Sequence, residues 1–487
     1  MNDEPKAVED GLEAHSHNDS RRSARTHFGP IDLKAGRQVI LVLVSIFVGI
    51  TCGYVLTPET FSDSQQHTVF LLVLALLLWL TEAVPPFAVG LLIICFQLFA
   101  YGTPLMNSAP EDTQRYLNSF SSSVIFLMLG GFFLADAMRK TGLDREVFRL
   151  AVSLFGRQPG RVLLGLMLTT AVLSMIMSNT ATTAMMIAAV TPFLLTYGPG
   201  SDFAKAVLVG IPAAASVGGM GTIIGSPPNA VAVGALEQAG VEVTFLKWML
   251  LGAPLAIVLC LGFWFLLGLR YRWGEDPIEI DLEPSEDIVG RSGRDRRIVM
   301  VTTVVTMVLW LTSSMHSVPV ATVSAVPVAM LTVTGVLGAR DMRLLPWDTI
   351  MLVAGGLALG LAIVDQGVAE YYLGQLDLGD ARMAGLMLLF GYITVVLSNI
   401  MSNTATASIL IPIAAVLLVG RSEFVTIAIA LSASSALMLP VSTPPNAIAY
   451  SSGMIEAREF RYGGFLIGGI TPILTVAWVW VLWTILR

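Results

Sequence analysis

The residues best suited to chemistry in this chain are hydroxyl and amide side chains that occur twice, inside otherwise apolar sequence. The segment LSMIMSNTAT at residues 173–182 returns as LSNIMSNTAT at residues 397–406, and the two differ at one position. A second motif follows each copy, as GSPPNA at 225–230 and as STPPNA at 442–447. Because both pairs keep the same order along the chain, they indicate an internal duplication. Secondary transporters are commonly duplicated in this way, with the binding site where the halves meet.

The first motif of each copy offers oxygen ligands for a hard monovalent cation such as sodium. Hydroxyl oxygens, amide oxygens and unwound backbone carbonyls bind such an ion without a buried charge. In each copy two serines lie four residues apart, and therefore on one face of a helix, and they lead into an asparagine. These residues are Ser174, Ser178 and Asn179 in the first copy and Ser398, Ser402 and Asn403 in the second.

The same motifs are also suited to an anion, because Ser, Asn and Thr favour the N-termini of helices. A helix that breaks at the SNT motif and starts again there points the positive end of its dipole at the site. Two such ends facing each other bind an anion without a buried Lys or Arg. The side chains that can add hydrogen-bond donors are Asn179, Thr180, Asn403 and Thr404.

The two Pro-Pro-Asn motifs are expected to form the opposite wall of the site. Their prolines cannot continue an incoming helix but can begin an outgoing one. Backbone carbonyls near Gly225 and Ser442 are then left unpaired, and inside a membrane they must find a partner. The sequence predicts a re-entrant hairpin tip here, with an ion bound to the carbonyls.

Composition indicates that the elements positioning these motifs are membrane-spanning helices. Of the 487 residues, 55% are hydrophobic and 13% are charged, which is about half the usual charged fraction. The apolar residues form long continuous runs, many of them near the ~20 residues that cross a bilayer. The chain is therefore predicted to be an all-α polytopic membrane protein. The net charge of -7 argues against a nucleic-acid partner, and the HExxH, GxSxG and P-loop motifs of enzymes are absent from the sequence.

The charge distribution divides the chain and orients it. Residues 1–37 are polar and mixed in charge, and they are predicted to be a disordered tail. Basic residues in this tail, and none in the loop at 57–66, place the N-terminus in the cytoplasm. A hydrophilic linker at 271–297 separates residues 38–270, the first span and first repeat, from the second repeat at 298–487.

Simpler explanations exist for several of these residues. Small polar side chains often only allow transmembrane helices to pack closely, although their repetition in ordered blocks favours a site. Acids within membrane segments are candidates for function. Glu82, Asp136 and Asp365 lie near the ends of apolar runs, where an interfacial or structural role is equally reasonable.

At these motifs the chain resembles the divalent anion/sodium symporter family, which carries C4-dicarboxylates, citrate or sulfate. The family is marked by two SNT motifs paired with two PPN-containing hairpin tips, and SNTATTAMM at residues 178–186 is typical of its sodium-coupled members. The resemblance covers about residues 38–487. It implies about eleven transmembrane helices, two re-entrant hairpins and an inverted five-plus-five repeat. It also implies a homodimer, in which a transport part of each protomer moves against a scaffold like an elevator.

The resemblance further implies how the motif residues divide between ions and substrate. The first sodium site corresponds to Ser174, Ser178, Asn179 and Gly225, and the second to Ser398, Ser402, Asn403 and Ser442. The positions that meet the substrate carboxylates correspond to Asn179, Thr180, Ser226, Asn403, Thr404 and Thr443. One departure is Ser442, which stands where some relatives have a smaller residue. This departure matters little if the carbonyl of Ser442 is the ligand.

We expect from this a sodium-coupled importer of C4-dicarboxylates, such as succinate, malate or fumarate, in a bacterial-type inner membrane. Two alternatives remain open at this stage. A cation-independent exchanger of the same fold would replace the sodium oxygens, often by a basic side chain, and no Lys or Arg lies near either motif. An anion channel with re-entrant loops would need no coupled ion, and its flux would not saturate.

Overall fold

The structure is a computed structural model, and it describes residues 33–196, 200–274, 293–373, 383–417 and 422–486. Within these ranges the regular secondary structure is helical. Most of the predicted tail, at 1–32, and most of the predicted linker, at 275–292, lie outside the described residues.

The first half of the chain forms a run of long apolar helices separated by short turns. These helices are α1 (Leu33–Ile50), α2 (Asp63–Thr81), α3 (Pro86–Gly102), α4 (Gln114–Leu117), α5 (Ser123–Thr141), α6 (Leu143–Leu154), α7 (Pro159–Ser174), α8 (Asn179–Thr196), α9 (Asp202–Gly218), α10 (Pro227–Gln238) and α11 (Phe245–Arg270). A π-helical turn, Thr51–Val55, extends α1. Two 3-10 turns, Asn118–Ser121 and Gly219–Gly221, follow α4 and α9.

The second half follows with the same alternation of long helices and breaks. Its helices are α12 (Gly293–Leu311), α13 (Ser313–His316), α14 (Val320–Val323), α15 (Ala325–Val333), α16 (Ala339–Arg343), α17 (Trp347–Asp365), α18 (Val368–Leu373), α19 (Met383–Ser398), α20 (Asn403–Leu417), α21 (Ser422–Ala433), α22 (Pro444–Ser451) and α23 (Ala457–Leu486). Helix α12 begins inside the segment predicted to be linker.

The two halves also correspond at one turn upstream of the motifs. Trp79 near the end of α2 donates its indole N–H to the carbonyl of Pro86, at 3.1 Å, across the turn into α3. Trp310 near the end of α12 donates in the same way to Val320 across the turn into α14, at 3.2 Å. Because equivalent tryptophans close equivalent turns, the duplication extends upstream to α2 and α12.

Seven helices are long and apolar enough to cross a membrane, judged by length and composition of the described residues. They are Gly36–Val55, Asp63–Thr81, Gln114–Thr141, Asp202–Gly221, Phe245–Arg270, Trp347–Asp365 and Ala457–Leu482. Shorter apolar helices, α7, α8 and their counterparts α19 and α20 among them, supplement these. Helix α9 is buried along nearly its whole length, whereas α1 exposes most of its apolar side chains. The chain is a multi-pass membrane protein with α9 in its core.

Polar contacts gather at two opposite ends of the helix bundle. At one end, called here the Lys140 face, Lys140 pairs with Asp341 at 2.6 Å, and Tyr271 donates its hydroxyl to Glu459 at 2.7 Å. The backbone N–H of Arg272 donates to Asp202 there, at 3.1 Å.

The other end is called here the Arg115 face. Arg115 pairs with Asp365 at 3.2 Å, and Ser123 donates its hydroxyl to Glu237. Ser123 and Lys140 stand near opposite ends of α5, whose 19 residues span about 28 Å. The two faces are therefore separated by roughly the thickness of a bilayer core.

Candidate functional site

Both SNT motifs lie where one helix ends and another begins, as their capping residues predicted. Helix α7 ends at Ser174 and α8 begins at Asn179, and α19 ends at Ser398 and α20 begins at Asn403. The hydroxyl of Ser178 accepts a hydrogen bond from the N–H of Ala181, at 3.2 Å. In the second copy Ser402 accepts from Ala405 at 3.1 Å. The N-termini of α8 and α20 are thus capped by the serines of the motifs.

The Pro-Pro-Asn motifs open helices, also as predicted, but their asparagines already satisfy several of the carbonyls freed by the break. Asn229 donates its amide N–H groups to the carbonyls of Gly219 and Thr222, each at 2.8 Å. Asn446 donates to the carbonyls of Leu437 and Leu439, at 3.2 and 3.0 Å. An ion is therefore not needed for these four carbonyls.

The helices of the two halves cross over at the motifs. Helix α10, from the first PPN motif, packs against α20 and α21 of the second half. Helix α22, from the second PPN motif, packs against α8 and α9 of the first half. The crossing brings both SNT motifs and both PPN motifs into one region, where the halves meet.

Oxygen atoms converge at the first SNT motif. The hydroxyl of Ser174 donates to the carbonyl of Ala215 at 2.8 Å. One terminal amide atom of Asn179 lies 2.6 Å from Ser174 Oγ, 3.1 Å from the Ala215 oxygen and 3.2 Å from the Gly225 oxygen. With its nitrogen in this place, Asn179 donates to both carbonyls and to Ser174 Oγ, so that each of these contacts is a hydrogen bond. With its oxygen there, four oxygens converge, and this is the kind of neutral ligand set that sodium accepts.

Two glycines allow this convergence by leaving room for backbone and amide atoms. A Cβ on Gly219 would lie 2.6 Å from Asn179 Oδ1 and 3.0 Å from the Gly225 oxygen. A Cβ on Gly225 would lie 2.8 Å from the Gly219 oxygen and 3.0 Å from the Ser174 oxygen. These contacts are closer than side-chain carbons tolerate, so the site requires glycine at both positions.

The second SNT motif contains buried oxygens that the rest of the described chain leaves unpaired. Neither Ser398 Oγ nor Asn403 Oδ1 has a hydrogen-bond partner among the described residues. An unsatisfied buried polar atom costs about 1–3 kcal/mol, so such atoms in a folded protein call for an explanation. These two atoms are among the buried side-chain oxygens that remain available to a ligand at this motif.

Ser442 joins the second motif through a residue that sequence reasoning missed. Its hydroxyl donates to Asn399 Oδ1 at 2.9 Å, and in the described chain no hydrogen bond joins it to Ser398, Ser402 or Asn403. Asn399 stands at the one position where the two SNT segments differ, with Met175 as its counterpart. This difference between the two copies is the feature of the sequence that could have identified Asn399.

The residues predicted to meet substrate fall into two groups. Thr180 is exposed and Thr404 is half-buried, and neither hydroxyl has a hydrogen-bond partner within the described structure. Ser226 and Thr443 are buried at the N-caps of α10 and α22, where Thr443 accepts from the N–H of Asn446 at 3.3 Å. The threonines of the SNT motifs therefore have free donors, while Thr443 also serves its own helix.

The three acids near the apolar runs have structural surroundings. Asp136 pairs with Arg139 one turn further along α5, and Asp365 pairs with Arg115 on the Arg115 face. Glu82 occupies the C-cap of α2 in the left-handed conformation, with φ of 48°. The structural interpretation of these acids is therefore favoured.

An all-helical, multi-pass protein with paired helix breaks where its two halves meet has the architecture of a membrane transporter. The sequence profile of the family described as Citrate transporter matches residues 76–431. The chain belongs to the divalent anion/sodium symporter family, in agreement with the resemblance at its motifs.

Curated relatives support this assignment over most of the chain. The sodium-dependent dicarboxylate transporter SdcS of Staphylococcus saprophyticus is 31% identical over 489 aligned residues, covering 90% of this chain and 92% of that protein. The protein of the same name from Staphylococcus aureus (strain USA300) is 30% identical over 437 residues, covering 82% of each chain.

Two solved structures share the fold at low sequence identity. MtrF of Neisseria gonorrhoeae, presented as one of a class of antimetabolite efflux pumps, has a TM-score of 0.52 at 12% identity, over 81% of this chain and 94% of its own. The YdaH transporter of Alcanivorax borkumensis has a TM-score of 0.51 at 12% identity, over 81% of this chain and 98% of its own. At this identity the likeness concerns the fold alone.

Proposed function

We propose that this protein is a sodium-coupled symporter that imports C4-dicarboxylates such as succinate, malate or fumarate. The observation that carries the proposal is the pair of oxygen sets at the SNT motifs. One set converges around Asn179, and the other leaves Ser398 Oγ and Asn403 Oδ1 buried without partners. The relatives named sodium-dependent dicarboxylate transporters give the proposal its ion and its substrate class.

Sodium binds, in this proposal, at two sites related by the duplication. The first site uses Ser174, Ser178, Asn179 and Gly225. We add the carbonyl of Ala215 to this site because it lies 3.1 Å from a terminal amide atom of Asn179. The second uses Ser398, Ser402, Asn403 and Ser442. Because both sets contain only neutral oxygens, each ion brings a positive charge to a region that has no basic side chain in either motif.

The dicarboxylate binds between the two sites. The N-termini of α8 and α20 direct positive dipole ends and free N–H groups towards it, and the nearby sodium ions add to the attraction. The threonine hydroxyls of the two SNT motifs donate to its carboxylates. The full set of contacting residues is Asn179, Thr180, Ser226, Asn403, Thr404 and Thr443.

We further infer that the SNT motifs form the tips of the re-entrant hairpins, which reverses the arrangement expected from the sequence. Asp202, at the start of α9, lies on the Lys140 face, whereas Glu237, near the end of α10, lies on the Arg115 face. Helices α9 and α10 together therefore cross the bundle, with the PPN motif at their break. Helix α7 follows α6 from the Lys140 face, and α8 ends shortly before Asp202, so this pair returns to the face where it began.

This arrangement accounts for eleven spans and two hairpins. The spans are α1, α2, α3, α5, α9–α10, α11, α12, α14–α15, α17, α21–α22 and α23, and the hairpins are α7–α8 and α19–α20. Two halves of five spans each then follow α1. The inverted relation of these halves, the homodimer and the elevator motion belong to the same proposal.

The Lys140 face is assigned to the cytoplasm of a bacterial-type inner membrane. Basic residues near the ends of spans favour the cytoplasmic side. Arg139 and Lys140 end α5 on this face, and Arg296 at the start of α12 pairs with Glu146 of α6. The start of α1 is assigned to the same side, because α1, α2 and α3 cross the membrane in turn before α5 begins on the Arg115 face.

Uptake of labelled succinate into proteoliposomes, with and without an inward sodium gradient, tests the proposal. Sodium should drive accumulation that saturates with succinate, and potassium or choline should not. Equal uptake from all three media would contradict sodium coupling. Uptake that depends on succinate preloaded inside would favour the exchanger, and uptake that does not saturate would favour the channel.

A further inference from the structure

We infer that Asn399 is a positioning residue that holds the Ser442 ligand of the second cation site in place, by linking the second SNT motif to the turn before its PPN motif. The inference rests on the proposed function and deepens it. It assigns a role to a residue outside both predicted ligand sets.

The link is made by the two ends of one buried amide. Asn399 Nδ2 donates to the carbonyl of Val395, one turn back in α19, at 2.8 Å. Asn399 Oδ1 accepts from the N–H of Met438 and from the hydroxyl of Ser442, each at 2.9 Å. The nitrogen fixes the side chain to its own helix, and the oxygen holds residues 438–442. The side chain is 7% exposed, so water competes little for these bonds.

These bonds favour the carbonyl of Ser442 over its hydroxyl as the ligand of a cation. Its hydroxyl donates to Asn399 and accepts from the N–H of Leu439 at 3.0 Å, so its hydrogen and one of its two lone pairs are in use. Its carbonyl accepts no hydrogen bond from the described residues. The carbonyl of Ser442 is therefore an available oxygen, and it matches the carbonyl of Gly225 in the first half, which likewise accepts no hydrogen bond from a described backbone N–H.

The first half makes the same link from the opposite side. There the hydroxyl of Thr222 donates to the carbonyl of Met175 and accepts from the N–H of Gly225 at 3.0 Å. The duplication aligns Met175 with Asn399 and Thr222 with Leu439. Each half thus has one polar residue in this pair of positions. In the first half it is Thr222, before the PPN motif, and in the second half it is Asn399, within the SNT segment. Two different solutions to one connection indicate that the connection itself is required.

This pairing defines a swap experiment. Asn399→Met gives the second half the residue of the first half and removes the acceptor for Met438 and Ser442. Adding Leu439→Thr restores the hydroxyl that makes the link in the first half. Leu439 is 36% exposed, so its change to the smaller threonine leaves no buried cavity.

The measurement is the sodium dependence of succinate uptake by the full chain in proteoliposomes. Asn399→Met should raise the sodium concentration for half-maximal uptake about tenfold and lower the Hill coefficient. The affinity for succinate at saturating sodium should stay within about twofold of wild type. The double variant N399M/L439T should return the sodium dependence to within about threefold of wild type. Leu439→Thr alone is the matched control and should behave as wild type.

A second variant keeps the inference testable if Asn399→Met does not fold. Asn399→Asp retains an acceptor oxygen for Met438 and Ser442, and its second oxygen meets the carbonyl of Val395 with a proton or a negative charge. Neither form weakens a nearby cation site, so half-maximal uptake should need at most about threefold more sodium than wild type. A tenfold loss in Asn399→Asp, no change in Asn399→Met, or no recovery in the folded double variant would each overturn the inference. Wild-type uptake that ignores sodium would instead defeat the proposed function, so the two failures are distinguishable.

Discussion

Ser398 and Ser174 occupy equivalent places in the two halves but differ in their hydrogen bonds, and this difference predicts different effects on stability when each hydroxyl is removed. Ser398 Oγ is buried without a partner, so Ser398→Ala removes no hydrogen bond among the described residues. Ser174 Oγ bonds to the carbonyl of Ala215 and contacts the amide of Asn179, so Ser174→Ala leaves both of these groups short of a partner.

The magnitudes follow from these contacts. Without sodium, Ser174→Ala should lower the free energy of unfolding by about 1–3 kcal/mol, which is the cost of leaving buried polar groups unsatisfied. Ser398→Ala should change it by less than about 1 kcal/mol. Loss of a hydroxyl ligand should weaken sodium binding about tenfold, equivalent to about 1.4 kcal/mol. At a sodium concentration 100 times the wild-type Kd, stabilisation by sodium should fall from about 2.7 to about 1.4 kcal/mol.

Thermal unfolding of the detergent-purified protein in sodium and in choline chloride measures both quantities. Ser398→Ala should melt like wild type in choline and gain about half the stabilisation from sodium. Ser174→Ala should melt lower in both salts. If Ser398→Ala were destabilised in choline as strongly as Ser174→Ala, yet kept the full gain from sodium, Ser398 would be a packing residue and its assignment as a ligand would be wrong.

Three further predictions concern substrate, charge and packing. Thr180→Ala and Thr404→Ala each remove a free donor, so succinate affinity should fall about tenfold to a hundredfold. Sodium affinity measured without succinate should be unchanged. Equal shifts in both affinities would count against a division between ion and substrate. A dianion that enters with more than two sodium ions carries net positive charge into the cell, and each charge gains about 2.3 kcal/mol per 100 mV. An inside-negative potential set by potassium and valinomycin should therefore speed uptake. Uptake that is indifferent to voltage would exclude that stoichiometry. Gly219→Ala should abolish uptake because its Cβ would lie 2.6 Å from Asn179 Oδ1, whereas Gly469→Ala, with no neighbouring heavy atom within 4 Å, should be active.

The parts of the site that sequence could predict are those set by local chemistry. Ser178 and Ser402 cap helices because a hydroxyl beside a free N–H acts within a few residues, and prolines begin α10 and α22 for a similarly local reason. The occurrence of each motif in both halves then distinguished these residues from small polar residues that only serve helix packing. The helix breaks, the duplication and the membrane class therefore followed from the sequence before any contact was known.

The remaining parts depend on contacts between distant segments. The carbonyl of Ala215 is a backbone group of an apolar residue, so nothing in the residue type marks it as a neighbour of Asn179. Asn229 and Asn446 satisfy carbonyls that sequence reasoning had left for an ion, because an amide side chain can reach back across the break. The bond between Asn399 and Ser442 joins residues 43 positions apart, beyond any periodic pattern.

The crossing of α10 and α22 has a consequence for biosynthesis. Because α10 packs on α20 and α21, and α22 packs on α8 and α9, each half supplies a helix that completes the other. As the ribosome releases the chain, the first half enters the bilayer with α8 and α10 still lacking these neighbours. Their final packing must wait until synthesis has passed Ser451, the last residue of α22. A nascent chain stalled before that point has the first SNT motif and no finished binding site, so the transporter matures as a whole and not half by half.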